Sequence, residues 1–264
     1  MTARRVVLIT GASGGIGADL ARVFARHGHD LALVARSRDK LESLADEIAG
    51  YGRPRPVILT LDLTKQGVAA QLATALEAEG ASVGILVNNA GFGLAGEIAE
   101  LDKAEQLQII DLNIRALVEM TLFFLPSIRA TRGKILNLAS VVAFFPGPGM
   151  AVYYASKAFI RSFSLALSQE ARRDGVTVST LCPGLTRTGF QTRAGFSESM
   201  GLARFSGASA REVAEAGYKG LMAGKRTIVP GFGNKILVLM ARLVPDSIIL
   251  PIIERMQQKR RADP

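Results

Sequence analysis

Tryptophan is absent from this chain of 264 residues, cysteine occurs once, at Cys182, and histidine only twice, at His27 and His29. A lone cysteine excludes an internal disulfide framework. Cysteine–histidine metal spacing is missing as well, so no metal site is expected and a reducing, cytoplasmic setting is. Apolar runs near the C-terminus are broken by Arg242, Pro245 and Asp246, and none approaches the roughly 18 residues that a membrane-spanning helix needs. Met1-Thr2-Ala3-Arg4-Arg5 leads straight into a strand-like segment with no apolar signal core, which also favours the cytoplasm. Both histidines follow a helical segment at Arg26-His27-Gly28, so they read as helix-end surface residues rather than catalysts. Cys182 ends a strand-like run and reads as a small buried residue rather than a nucleophile.

Hydrophobic residues make up 48% of the chain and charged residues 21%, which supplies a core and argues against disorder. The length suits one α/β domain over residues 1–230, followed by an apolar and basic extension over 231–264. The net charge of +9, from 32 basic and 23 acidic residues, would suit nucleic acid, an acidic membrane surface or an anionic ligand. Basic clusters occur at Arg4-Arg5, Arg36 to Lys40, Arg172-Arg173 and Lys259 to Arg261. They lack the interleaved aromatics of single-strand binders, so no nucleic-acid partner is expected and a solvated surface is the plainer reading.

Strands and helices alternate along the chain. Arg5 to Thr10 is β-branched and apolar, and glycines follow at 11, 14, 15 and 17. Ile16, Leu20, Val23 and Phe24 then recur at helical spacing. Further strands are expected at Leu31 to Ala35, Val57 to Leu61, Ile85 to Val87, Ile135 to Leu138, Val176 to Leu181 and Thr227 to Val229. Between them run helices marked by Leu41 to Ile48, by Leu72 and Leu76, by a long stretch from Leu107 to Val118, and by Tyr153 to Leu167. Ser209-x-x-Glu212 has the form of a capping box and opens another helix. This order predicts a doubly wound, seven-stranded parallel sheet flanked by helices.

Thr10-Gly11-Ala12-Ser13-Gly14-Gly15-Ile16-Gly17 falls between the first strand and its helix, where a dinucleotide pyrophosphate can meet unpaired helix N–H groups. An acidic residue at the end of the second strand would signal NAD. That position, nineteen residues beyond Gly17, holds Arg36, followed by Ser37 and Arg38. A guanidinium there can grip a ribose 2′-phosphate, and a charge-assisted bond of about 1.5–3 kcal/mol would favour NADP(H) roughly 10- to 150-fold. Asp62, after the third strand, could bond adenine or equally cap a helix.

Tyr153 and Lys157 lie four residues apart, one helical turn, and Ser140 stands thirteen residues before Tyr153. Acid–base work by a phenol at neutral pH needs its pKa roughly 3 units below 10, about 4 kcal/mol. An ammonium about 4 Å away, at an effective dielectric near 20, contributes about that much. Such a pair suits proton donation to an alkoxide forming from a carbonyl.

Taken together these segments resemble the short-chain dehydrogenase/reductase family in its compact single-domain form. The resemblance runs from about Val6 to Pro230. It includes the Thr10 to Gly17 loop, Asn88-Asn89-Ala90-Gly91, Asn113, Ser140, Tyr153 with Lys157, and Pro183-Gly184-Leu185-Thr186-Arg187-Thr188. It implies a Rossmann fold and hydride transfer with NADP(H). Gly14 stands where many NADP-preferring members have a basic residue, so Arg36 must carry most of that preference. By the same resemblance Tyr153 is the general acid and base, Ser140 holds the carbonyl oxygen, and Lys157 depresses the Tyr153 pKa and bonds the nicotinamide ribose. Asn113 holds a water that links Lys157 to solvent. The cofactor is met by Thr10, Gly11, Ser13, Gly14, Gly15, Ile16, Gly17, Arg36, Ser37, Asp62, Leu63, Asn89, Ala90, Gly91, Pro183, Gly184, Thr186 and Thr188. Asn88 looks structural, bracing the central strands. Tyr154, turned about 100° around the helix from Tyr153, is read as packing or dimer surface. The family's habit of pairing long helices implies a homodimer or homotetramer.

The substrate is read from the segments after Ser140 and Thr188. Phe92, Phe144, Phe145, Phe190 and Phe205 would form an apolar pocket for a lipid-like, steroid-like or aromatic carbonyl, unless individual rings belong to the core. The apolar tail Lys235 to Val244, with Ile248 to Ile253 and the basic Arg255 to Arg261, could lie on an anionic membrane surface. Packing over the pocket or against a second subunit is the plainer reading. The sequence thus points to an NADP-dependent carbonyl reductase or alcohol dehydrogenase; the alternative is a non-catalytic NADPH-binding or membrane-associated regulatory protein.

Overall fold

A computed structural model of the chain describes residues 3–195 and 207–262. Phe205 and most of the loop after Thr188 therefore lie outside the described residues. Seven strands form one parallel sheet: β1 (Arg4–Thr10), β2 (Asp30–Ala35), β3 (Val57–Thr60), β4 (Ala81–Asn88), β5 (Lys134–Leu138), β6 (Thr177–Leu181) and, at the edge, the two-residue Thr227–Ile228. Their spatial order is β3-β2-β1-β4-β5-β6 and then the edge strand, with every pairing parallel.

The period-two pattern of each strand decides which helices it carries. In β1, Val6 and Leu8 point into one core cluster while Val7 and Ile9 point into the other. The first face is covered by α3 (Val68–Ala78), α5 (Leu117–Ala130) and the far end of α6 (Ala151–Glu170). The second takes α1 (Gly15–Arg26) and α2 (Arg38–Ala49), together with a later helix, Ala210–Met222, which opens on the expected Ser209–Glu212 capping box. Burial on both faces is why the central strands read as continuous apolar runs. His27 and His29, at the end of α1, pack on Tyr218, with the His27 ring stacked 4.1 Å from it.

Apart from shifts of one residue at strand ends, three features differ from the sequence expectations. β4 begins at Ala81, four residues earlier than Ile85: Ala81 to Val83 pair with Arg4 to Val6, and a register shift between Val6 and Val7 passes over Gly84 and breaks the pattern there. The long helix from Leu107 is not continuous: α4 (Lys103–Ile110) passes into α5 through a π-helical turn, Asp111–Ala116, that carries Asn113. A short parallel pair, β7 (Thr186–Arg187) with β8 (Ala208–Ser209), was not expected; each strand is two residues long, too short for periodicity to register. The edge strand Thr227–Ile228 is β9, and the helix Ala210–Met222 follows the four-residue α7 (Phe190–Arg193) as α8.

Beneath the site, Asn88 donates to Thr121 Oγ1 and Asn137 Oδ1, and Asn137 donates to Ser164 Oγ, a buried polar chain joining β4 and β5 to α5 and α6. Beyond Pro230 the chain forms α9 (Phe232–Leu243) and α10 (Asp246–Ala262).

Candidate active site

Strand order reverses between β1 and β4, and the crevice that opens at their carboxyl ends holds the glycine loop. Thr10 Oγ1 donates to the Val87 carbonyl and accepts from the N–H groups of Asn89 and Ala90. Asn89 Nδ2 in turn donates to the carbonyls of Thr10 and Gly11, at 2.9 and 3.1 Å. Gly17 has to be glycine, since a Cβ there would sit 2.3 Å from Gly11 O. Gly14 precedes α1 with open space around it and no side-chain cap, so the first-turn N–H groups stay free for an anion. Thr188 faces the loop from the other side, where a Cβ on Gly15 would meet its Cγ2 at 3.2 Å. Ser13, Gly14 and Gly15 border a separate groove together with Lys40 and Arg22.

Arg36 and Ser37 are exposed at the end of β2. Among the described residues Arg36 enters no ion pair, whereas its neighbour Arg38 is paired with Glu42. Asp62 neither caps α3, whose N-cap is Gly67, nor stands free: its Oδ1 accepts from Thr64 N and Oγ1. Burial opposes ionisation of Asp62, but the Thr64 bonds and the Arg36 guanidinium hold the carboxyl below its ordinary value. The Leu63 side chain is buried in the core, which leaves only its backbone for a ligand.

On α6, Tyr153, Ser156 and Lys157 are buried on one face. Ser140 caps a short 3₁₀ turn after β5; its hydroxyl donates to Pro183 O at 3.3 Å and is within hydrogen-bonding reach of the Tyr153 phenol. Lys157 Nζ donates to Leu138 O at 2.9 Å and lies 5.7 Å from the centre of the Tyr153 ring. The expectation that Lys157 depresses the Tyr153 pKa is corrected here. Burial pushes the phenol above its ordinary value, Tyr154 adds to this, and the Ser140 bond opposes it only in part. Among the described residues Lys157 enters no ion pair, and burial lowers its own pKa to about 8, opposed only in part by Cys182. Burial likewise pushes the Cys182 thiol up to about 12, which leaves it un-ionised and inert.

Asn113 clamps the backbone beside this cluster. Its Oδ1 accepts from Phe92 N, and its Nδ2 donates to Phe92 O and Ser156 Oγ. Gly91 faces the same point, since a Cβ there would come within 2.9 Å of Asn113 Oδ1 and 3.5 Å of Lys157 Nζ. Thr186 Oγ1 donates to Gly184 O, and Gly184 is pressed against the Asn234 side chain.

Above Ser140 and Tyr153 opens a cavity of about 530 Å³, which also reaches Ile16, Asn89, Gly91, Pro183, Gly184, Thr186 and Thr188. Two of the five phenylalanines expected in it, Phe145 and Phe190, line it. Phe92 is buried beneath the Arg193 guanidinium, and Phe144 packs in a neighbouring cluster against Arg161. Tyr154 is not outer surface: it is buried and lines the cavity, seated on Gly147, where any Cβ would strike its ring at 2.2 Å. Sequence reasoning missed Gly93, which gives the Tyr153 ring room, whereas the tail packs over the pocket, one of the two packings expected of it, and adds Asn234, Leu237, Ile253, Met256 and Gln257 of α9 and α10 to the wall. No local motif marks these residues, because their roles depend on contacts across the fold.

The family model described as short chain dehydrogenase matches residues 5–198. The chain belongs to the short-chain dehydrogenase family. Among this family's curated members, Oxidoreductase UcpA of Salmonella typhimurium is 38% identical over 186 residues, 70% of each chain. Among solved structures, a short-chain dehydrogenase from Sphingobium yanoikuyae in complex with NADPH is 32% identical with a TM-score of 0.80, covering 99% of this chain and 96% of that one. The bulky-bulky ketone specific alcohol dehydrogenase from Comamonas testosteroni is 29% identical with a TM-score of 0.76, covering 92% and 93%.

The buried amine of this short-chain dehydrogenase has a pH signature. Its folded pKa lies below the unfolded one, so between about pH 8 and 10.5 the unfolded chain binds the extra proton and stability rises with pH. Below that window the cost of burying the charge is fully present, on the order of 3 kcal/mol, and above it the cost is gone. Lys157→Met should therefore gain stability relative to wild type near neutral pH, with the gap shrinking toward pH 10.5. The lost bond to Leu138 offsets part of the gain at every pH, so the slope is the diagnostic. Urea unfolding across this range reads it, and a pH-independent gap would assign the effect to packing alone.

Proposed function

We propose that this short-chain dehydrogenase is an NADPH-dependent oxidoreductase. In this reading it transfers hydride between the nicotinamide and a carbonyl or secondary alcohol of an apolar, lipid-like, steroid-like or aromatic compound. The observation that carries the proposal is the meeting of Ser140, Tyr153 and Lys157 at the floor of an apolar cavity that continues into the glycine loop. The cradle fits a dinucleotide: uncapped N–H groups at α1, close-approach glycines at 11 and 17, and a guanidinium at Arg36 that forms no ion pair among the described residues. The NADPH held by the Sphingobium relative supports the same cofactor.

The dinucleotide supplies the hydride, and the chain supplies the proton and the charge. Ser140, aimed at the forming alkoxide, would leave the Pro183 carbonyl and donate to the substrate oxygen. Tyr153 would then give up its proton to that oxygen. Lys157, drawn from Leu138 to the cofactor ribose and the phenolate, would stabilise the negative charge left on the tyrosine. Asn113 has its side chain committed to Phe92 and Ser156, so a water linking Lys157 to solvent would rest on the main chain of the π-helical turn. A purely regulatory NADPH-binding role is disfavoured, because binding alone requires no buried Ser–Tyr–Lys set.

Exposed Leu107 and Ile110 on α4 and Leu122 and Phe123 on α5 support a homodimer or homotetramer built on the long helices. Among the described residues no helix is long and apolar enough to cross a membrane. The outward residues Phe232, Leu239, Leu243 and Ile248 of the tail support a peripheral membrane contact as a second reading, from a cytoplasmic location. The side chains of Lys259, Arg260 and Arg261 lie outside the described residues.

Tyr153→Phe should abolish NADPH oxidation with apolar ketones and leave calorimetric NADPH affinity within about twofold; near-normal turnover would sink the assignment. Arg36→Asp should erase a preference for NADPH over NADH that is roughly 10- to 150-fold in the wild type, read as the ratio of kcat/KM values. An unchanged ratio would assign the phosphate to other groups. Light scattering after size exclusion should give a whole multiple of the 28.1 kDa chain, and a strict monomer would remove the oligomer.

A further inference from the structure

Several polar side chains of the cavity wall are not used by the proposed hydride transfer, and among the described residues Gln257 is the one of them with a buried atom left without a hydrogen-bond partner. Gln257, on α10, is only 3% exposed and lines the cavity from the side of the tail. Its Nε2 donates to Tyr154 Oη at 3.0 Å, and its Oε1 is buried with no hydrogen-bond partner among the described residues. The position is built: Gly149, at φ +77°, seats the side chain, and a Cβ there would come within 3.3 Å of Gln257 Cβ. Around the amide the wall is apolar, from Val142, Phe145, Ile253 and Met256.

A buried carbonyl oxygen left without a donor is costly, and folded proteins rarely leave one so. We propose that Gln257 Oε1 is the acceptor for a hydroxyl group on the substrate, remote from the reacting carbon. The proposal rests on the hydride-transfer reading of this site and names its substrate class: a neutral, largely apolar carbonyl compound with a second hydroxyl at its far end. Charge excludes a cationic donor. Among the described residues no carboxylate lines the cavity to balance an ammonium, and the single cation, Lys157, belongs to the catalytic floor. The volume of about 530 Å³ falls within the range of small-molecule pockets. The edge-to-face arrangement of Tyr153 and Tyr154, with ring centres 6.2 Å apart, sets the acceptor beyond the second ring, away from the reacting carbonyl.

The test uses linear methyl ketones of rising chain length, each matched with its ω-hydroxy derivative, reduced with NADPH by the full chain. Wild type should prefer the hydroxylated member about tenfold in kcat/KM at the chain length that reaches Gln257, and less at other lengths. In Gln257→Leu that ratio should fall to near one. Gln257→Glu, which keeps an acceptor, should retain it, and serves if the leucine variant does not fold. An equal ratio in wild type and Gln257→Leu, or no hydroxyl preference at any length, overturns the proposal and assigns Oε1 to a trapped water. Calorimetric titration of the same pairs onto the protein reads the preference without turnover. Hydroxyl-dependent binding with no reduction of any ketone would keep the Gln257 assignment and sink the hydride-transfer reading.

Discussion

Thr10 spends its hydroxyl on three backbone groups, one at the end of β4 and two in the segment that follows it. That knot holds the β1 and β4 termini together where the strand order turns back, and Asn89 tightens it by bonding the loop carbonyls. With the loop drawn against β4, α1 must begin where Gly17 nearly touches Gly11, and only a residue without Cβ can stand there. The same knot sets the course of Ala90 to Gly93, which Asn113 clamps against α6. The height of Tyr153 above the crevice follows from that clamp, through Ser156 and the space left by Gly93. One hydroxyl thus registers the phosphate loop against the acid–base residues.

The electrostatics of the floor are governed by desolvation rather than by pairing. Tyr153 and Lys157 are both driven toward their neutral forms, one pKa rising and the other falling. With two such groups buried and no counter-ion beside them among the described residues, a polar ligand can relieve the cost of charging either one. The Lys157 bond to the Leu138 carbonyl and the Ser140 bond to Pro183 are holding positions of this kind, each on a backbone acceptor in the same crevice.

Fold class was legible because its signals are local and repeated: buried runs of five or six apolar residues, helical stripes between them, and glycine punctuation after the first strand. The polar cluster was legible for a similar reason. Tyr153 and Lys157 share one helix, so their spacing alone brings them to one face. Legibility failed where position depends on distant chain. A π-helical turn carries no composition mark of its own, and the one at Asn113 follows from bonds to Phe92. Phe92 and Phe145 look alike in sequence; one is covered by an arginine from α7 and the other faces the cavity. Tyr154 stands about 100° around α6 from Tyr153, which suggests an outer face on an isolated helix, yet the tail folds over it and makes that face interior.

The tail adds a separation of duties. The glycine loop and the Ser140, Tyr153 and Lys157 cluster lie before Pro230, while much of the roof over the cavity is supplied by α9 and α10, at the end of the chain. A roof of that kind can be exchanged, lengthened or recoloured by mutation without disturbing a single strand pairing. Selectivity in this molecule is therefore free to diverge quickly while the chemistry stays fixed, and its C-terminal helices are the natural segment to graft when the same floor is to be given a new substrate.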